Sequence, residues 1–107
     1  MMTPAQFFDE IAPKLLAAQR DQCAKLGGVF AVKLSEGTWT LDFTNASVAK
    51  GIQKRPDLTL EMSSSDFTSM MDGALDVSAS LRSGRVKLHG DARKIVNLAT
   101  ILGAGMS

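Results

Sequence analysis

The chain has 107 residues, with 12 basic against 11 acidic side chains and a single cysteine. That length suits one domain over residues 1–107, with roughly two-thirds of its unfolded surface buried around one modest core. Near-balanced charge with no basic stripe argues against nucleic acid as the main partner. The lone Cys23 excludes an internal disulfide and makes no metal site by itself, so a small buried or surface thiol in a reducing compartment is expected.

At the N-terminus, Thr3-Pro4 combines a hydroxyl cap with proline at the first helical position. Phe7, Phe8, Ile11, Leu15 and Ala18 follow at helical spacing. Pro13, without a backbone donor, is expected to kink or split this helix. A second helical piece runs to Leu26 and stops at Gly27-Gly28. With neither a basic region nor a long apolar run, this N-terminus does not resemble a secretory leader. No Ser-Lys-Leu-type peroxisomal address ends the sequence, and no apolar run approaches the length that spans a bilayer, so a cytoplasmic protein is expected.

The middle of the chain alternates with period two. Phe30, Val32 and Leu34 point one way, Ala31 and Lys33 the other, and Ser35-Glu36-Gly37 forms a hairpin turn. Trp39, Leu41 and Phe43 share a face opposite Thr38, Thr40 and Asp42. A weaker strand carries Val48 and Ile52, and a fourth alternates Leu58, Leu60 and Met62 with Asp57, Thr59 and Glu61. Such alternation means a sheet with one buried and one wet face, so the helices pack on the same side.

From Ser63 the period changes. Ser63 and Asp66 stand at capping-box spacing before Phe67, Met70 and Met71, and Gly73 ends that helix. Asp76 caps a short helix with Val77 and Leu81, closed by Gly84. Val86 and Leu88 alternate with Arg85, Lys87 and His89 in a last strand. Asp91 then caps a closing helix whose residues Ile95 to Ala104 carry no charge. Ile95, Val96, Ala99 and Leu102 fall on one face of it, Leu98 and Ile101 on another. A surface helix normally keeps a polar face, so this one needs a second apolar neighbour: a partner, a membrane or a ligand.

No catalytic constellation is present. His89, the one histidine, shares the wet side of its strand with Arg85 and Lys87, and a catalytic base needs a cleft and an orienting partner. The serines at 63–65 lack a nucleophile-elbow context and suit capping. No phosphate-cradling glycine motif occurs, and the aspartates are scattered over turns and helix starts. No catalytic residue, metal ligand or cofactor is therefore assigned. What stands out is an apolar surplus. Phe67, Met70, Met71, Leu75 and Leu81 come from the middle helices, and Ile95, Leu98, Ala99, Ile101 and Leu102 from the closing one. Trp39 and Phe43 join them from the sheet. An internal apolar cavity for a small molecule would use these residues, and methionine pairs suit a surface that adapts to varied ligands.

The stretch from Gly73 through Gly84 to Gly90-Asp91 resembles the sterol carrier protein 2 lipid-transfer family. There a glycine, a short helix, a second glycine, a basic residue and an alternating strand precede the last helix. Trp39-Thr40-Leu41-Asp42, Asp57-Leu58-Thr59-Leu60 and Ser65-Asp66-Phe67 are similar to further family motifs, in order and spacing over about residues 7–102. Val77 stands where many members have proline, and the family's peroxisomal tail is missing. The resemblance implies an α+β, two-layer fold: a five-stranded, mostly antiparallel sheet with helices on one face and an internal hydrophobic cavity. It implies non-enzymatic lipid binding or transfer, with a fatty acid, acyl-CoA, phospholipid or sterol-like ligand in an apolar tunnel near the last helix. One side of that helix is expected to cover the sheet and the other, marked by Leu98 and Ile101, to face the tunnel. Transient membrane contact is an accompanying expectation, and the oligomeric state is left between monomer and weak homodimer. The alternative is an interaction module in which Leu98 and Ile101 bury against a second copy or another protein.

Overall fold

Helix and strand starts follow the local chemistry. Thr3 makes a complete capping box: its Oγ1 accepts from Gln6 N–H, and its own N–H donates to Gln6 Oε1. The computed structural model describes residues 3–72 and 76–102 (for Val77, its backbone). The first helix, α1, runs through Pro4–Gln6, a π turn over Phe7–Ile11, and Ala12–Ala18. Pro13 explains the π turn: it has no N–H to give, and the ladder widens immediately before it, Ala12 N–H donating five residues back to Phe7 O. The split expected there falls later, at Gln19, before α2 (Arg20–Leu26).

Five strands follow the expected alternation: β1 (Val29–Leu34), β2 (Gly37–Asp42), β3 (Ser47–Lys50), β4 (Leu58–Glu61) and β5 (Lys87–Gly90). Their order is β3-β2-β1-β4-β5, antiparallel except for the parallel central pair β1 and β4. Between β4 and β5 lie α3 (Ser64–Met71) and α4 (Val77–Ser83). Ser63 caps α3 by accepting from Asp66 N–H, and Asp76 caps α4 by accepting from Ser78 and Ala79. Gly84 closes α4 in the left-handed conformation. Gly73, the expected end of α3, lies outside the described residues. A 3-10 turn (Ala92–Lys94), capped by Asp91, leads into α5 (Ile95–Leu102).

Phe30, Val32, Trp39, Leu41, Phe43, Leu58 and Leu60 project into one core with Phe8, Leu16, Phe67 and Met70. Phe8 stacks on Trp39 with ring centroids 4.9 Å apart. The other sheet face is less wet than the alternation predicts. Thr40 and Asp42 are 3% and 6% exposed, and Ala31 is fully buried. The connection from β3 to β4 crosses that face and covers β2: Thr40 Oγ1 donates to Gly51 O at 2.6 Å, and Gln53 N–H donates back to it. Asp42 pairs with Lys54 and accepts from Asn45 Nδ2 at 2.8 Å. Burial would push the Asp42 carboxyl up, but hydrogen bonds from Lys54 and Asn45 together hold it below the usual value. Ile52, expected in the third strand, stands past its end and is exposed. Val86 is buried just before β5 rather than within it.

The closing helix also departs from its expected orientation. Leu98 and Ile101 are core residues, 0% and 2% exposed, while Val96 is 65% exposed. The side expected to face a tunnel is thus packed in the core, while on the other side Leu102 is buried and Ile95 and Ala99 are half-buried. Cys23 is buried, and burial pushes its thiol up, consistent with a packed structural thiol. Among the described residues, no helix is long and apolar enough to cross a membrane.

Candidate functional site

The sequence of α1 repeats pairs of apolar residues every four positions. Phe8, Ala12 and Leu16 form one row, completely buried against the core. Phe7, Ile11 and Leu15 form the adjacent row, and this second row lines a cleft of about 270 Å³. Phe67, Thr68, Met71 and Asp72 at the C-terminal end of α3 form the facing wall, Leu102 closes it from α5, and Thr3 and Pro4 sit at the start of α1. Seven of these ten lining residues are apolar, and the only charged one is Asp72. This is the mostly apolar, concave form with a few polar groups that small-molecule sites take, just below their usual size range of about 300 to 1,000 Å³.

Two devices hold the walls in place. Phe7 packs edge-on against Phe8 and Phe67, with centroids 5.2 and 5.7 Å away, so the floor is continuous with the aromatic core. Gln19, at the break after α1, donates through Nε2 to Leu15 O and Ile101 O at 3.1 and 2.9 Å, tying α1 to the end of α5. Leu15 O lies in the last turn of α1, where carbonyls lack an intrahelical partner.

Of the twelve residues expected to line a cavity, Phe67, Met71 and Leu102 line this cleft. Met70, Leu98, Ile101, Trp39 and Phe43 lie behind it in the core, and Leu81, Ile95 and Ala99 are half-buried elsewhere. Leu75 lies outside the described residues. Sequence reasoning assigned no site role to Phe7, Ile11 and Leu15, although their four-residue spacing is plain. It placed Phe7, Phe8, Ile11, Leu15 and Ala18 in one helical stripe without separating its two rows. His89 is exposed and pairs with Glu61 Oε1 at 2.9 Å, on the sheet face away from the helices. Among the described residues, no group of acidic, histidine and cysteine side chains could hold a metal ion.

A one-sided α+β sheet whose helices frame an apolar cleft defines a class of fold able to enclose a small apolar molecule. The comparisons with known proteins make the assignment specific: a profile described as the SCP-2 sterol transfer family matches residues 8–103, and the chain belongs to that family. It is 33% identical over 102 residues to human sterol carrier protein 2, covering 85% of this chain but 19% of that protein. The chain therefore spans about a fifth of the length of the curated relatives it first matches. Among solved structures it resembles palmitated SCP2L2 from Aedes aegypti, with a TM-score of 0.75, 23% identity and 99% coverage of both chains. Apo sterol carrier protein 2 from Yarrowia lipolytica also gives 0.75 at 23% identity, over 90% of this chain and 86% of that one. At these identities the structural likenesses establish the fold.

Proposed function

We propose that this chain is a non-enzymatic lipid-binding and transfer domain that buries the apolar tail of its ligand between α1, α3 and α5. The cleft carries the reading: an apolar concavity lined by Phe7, Ile11, Leu15, Phe67, Met71 and Leu102 in the helix layer. At about 30 Å³ for a water-sized group, its 270 Å³ accommodates roughly nine such groups. Nine methylenes at about 0.8 kcal/mol each would contribute around 7 kcal/mol, near micromolar affinity before ordering costs. That size suits a medium alkyl chain or one segment of a larger fatty acid, acyl-CoA, phospholipid or sterol-like ligand. The family assignment and the palmitated structural relative support the same class.

The interaction-module alternative loses its contact residues, because Leu98 and Ile101 are already buried within the chain. No other observation favours it.

The test is binding of a neutral apolar fluorophore, 1-N-phenylnaphthylamine, alongside mass spectrometry of denaturing extracts. The wild type is expected to bind and to yield co-purified lipid. Ile11→Gln with Leu15→Gln places two amides in the cleft wall and should weaken binding at least about tenfold while the circular-dichroism spectrum stays native. Empty extracts together with no fluorophore binding by the folded wild type would remove the proposal.

A further inference from the structure

We infer that Pro13 is a positioning residue of the lipid site: by imposing the π turn over Phe7–Ile11 it sets Phe7 in line with Ile11 and Leu15, so that α1 lays one straight apolar row along the cleft. The inference deepens the lipid-binding reading and rests on it.

The spacing in α1 does not suit an unbroken α-helix. Four residues overshoot one α-helical turn by about 40°, so residues eight apart diverge by about 80° around the axis. Phe7-Ile11-Leu15 and Phe8-Ala12-Leu16 are such rows, stepping four residues and four again. Neither row diverges. Phe7, Ile11 and Leu15 all line the cleft, and Phe8, Ala12 and Leu16 are all buried in the core. The π turn accounts for this. Its ladder reaches five residues back, Ala12 N–H donating to Phe7 O, so four residues fall short of a full turn there. The first step of each row, Phe7 to Ile11 and Phe8 to Ala12, crosses this wide turn. The second step lies in the α-helical segment that follows. The two deviations oppose, and both rows run straight.

Pro13 follows the wide turn directly. It lacks the N–H that would bond Asp9 O in a continuous α-helix, and its ring would press on that carbonyl. Pro13 does not line the cleft, so it acts through the rows. Both ends of α1 are fixed from outside. Ala5 N–H donates to Glu36 Oε1 at 3.1 Å, and Gln19 Nε2 donates to Ile101 O at 2.9 Å. A change of ladder is therefore absorbed between these ties, by turning Phe7 and Phe8. Phe7 would leave its edge-on contact with Phe67 in the cleft wall, and Phe8 its stack on Trp39.

The wide turn holds one residue more than an α turn, and Asp9 and Glu10 within it are exposed. Deleting Glu10 changes the row spacing to three and four, which an α-helix keeps on one face unaided. The experiment compares the full chain as wild type, as Pro13→Ala, and as Pro13→Ala with Glu10 deleted. The readouts are affinity for 1-N-phenylnaphthylamine and, without the probe, the near-ultraviolet circular dichroism of Trp39, the only tryptophan. Pro13→Ala restores the missing donor and should alter the Trp39 signal. It should also weaken the fluorophore at least about tenfold, the share of one large apolar side chain. Deleting Glu10 as well should return the Trp39 signal and bring affinity to within about threefold of wild type, as the rows realign in a plain α-helix. A proline needed only for stability predicts no such rescue. Pro13→Ala with wild-type affinity overturns the inference and leaves the lipid reading intact. So does a double variant that is unfolded or does not recover affinity. If Pro13→Ala alone does not fold, recovery in the double variant decides. No fluorophore binding by the folded wild type rejects the lipid reading and, with it, this role for Pro13.

Discussion

Single residues in this chain carry constraints that reach across the fold. Gly90 ends β5 at φ 109°, and a Cβ there would stand 2.4 Å from the backbone oxygen of Asp57. Neither the positive φ nor a backbone neighbour can relax cheaply, so Gly90→Ala should cost about 2 to 3 kcal/mol, read as a lower urea midpoint at unchanged slope. Asp42 is the buried acid whose folded carboxyl is held below its usual value by Lys54 and Asn45. A depressed folded value means that its contribution is present above the unfolded value, about 3.9, and is lost as pH falls through the lower folded one. Asp42→Asn should therefore destabilise at pH 7, and the gap from wild type should close in acid titrations below about pH 4. Neither role is legible locally. Alternation placed Asp42 on a wet face, because the loop that covers it comes from the other end of a different strand.

The helices show where periodicity informs and where it runs out. In α1 the rows Phe8-Ala12-Leu16 and Phe7-Ile11-Leu15 have identical spacing, and only the packed structure reveals that the first faces the core and the second the cleft. In α5 apolar residues occur on both sides, so the pattern is degenerate and the expected orientation came out rotated. Leu98→Ala should cost roughly 2 to 5 kcal/mol as a core truncation, whereas Val96→Ala, on the exposed side, should stay within about 0.5 kcal/mol. Thermal denaturation of the two variants checks the orientation, and equal losses would contradict it. Capping was the most legible feature at this scale. Thr3, Ser63, Asp76 and Asp91 all accept helix-start amides, because that chemistry is decided within three residues.

At the scale of the whole molecule, the mostly antiparallel sheet with helices on one face was readable from the strands around Trp39 and Leu60, whose buried sides agree with their alternation. The resemblance in motif order pointed to the family that the profile match establishes. The exact walls of the cleft were not readable, since they join α1, α3 and α5, segments far apart in the chain whose approach depends on how the sheet orders its strands. The same arrangement keeps the cleft on the helix layer, while Lys33, Glu61 and Lys87 pair side by side in register on the sheet. The central claim is that the ligand's tail enters between the helices. The most direct measurement is photo-crosslinking with an uncharged lipid carrying a diazirine in its tail, mapped by tandem mass spectrometry. Crosslinks are expected on the cleft wall, at Ile11, Leu15, Met71 and Leu102. Crosslinks confined to the sheet's opposite face or to the exposed Val96, with the cleft residues unlabelled, would contradict it.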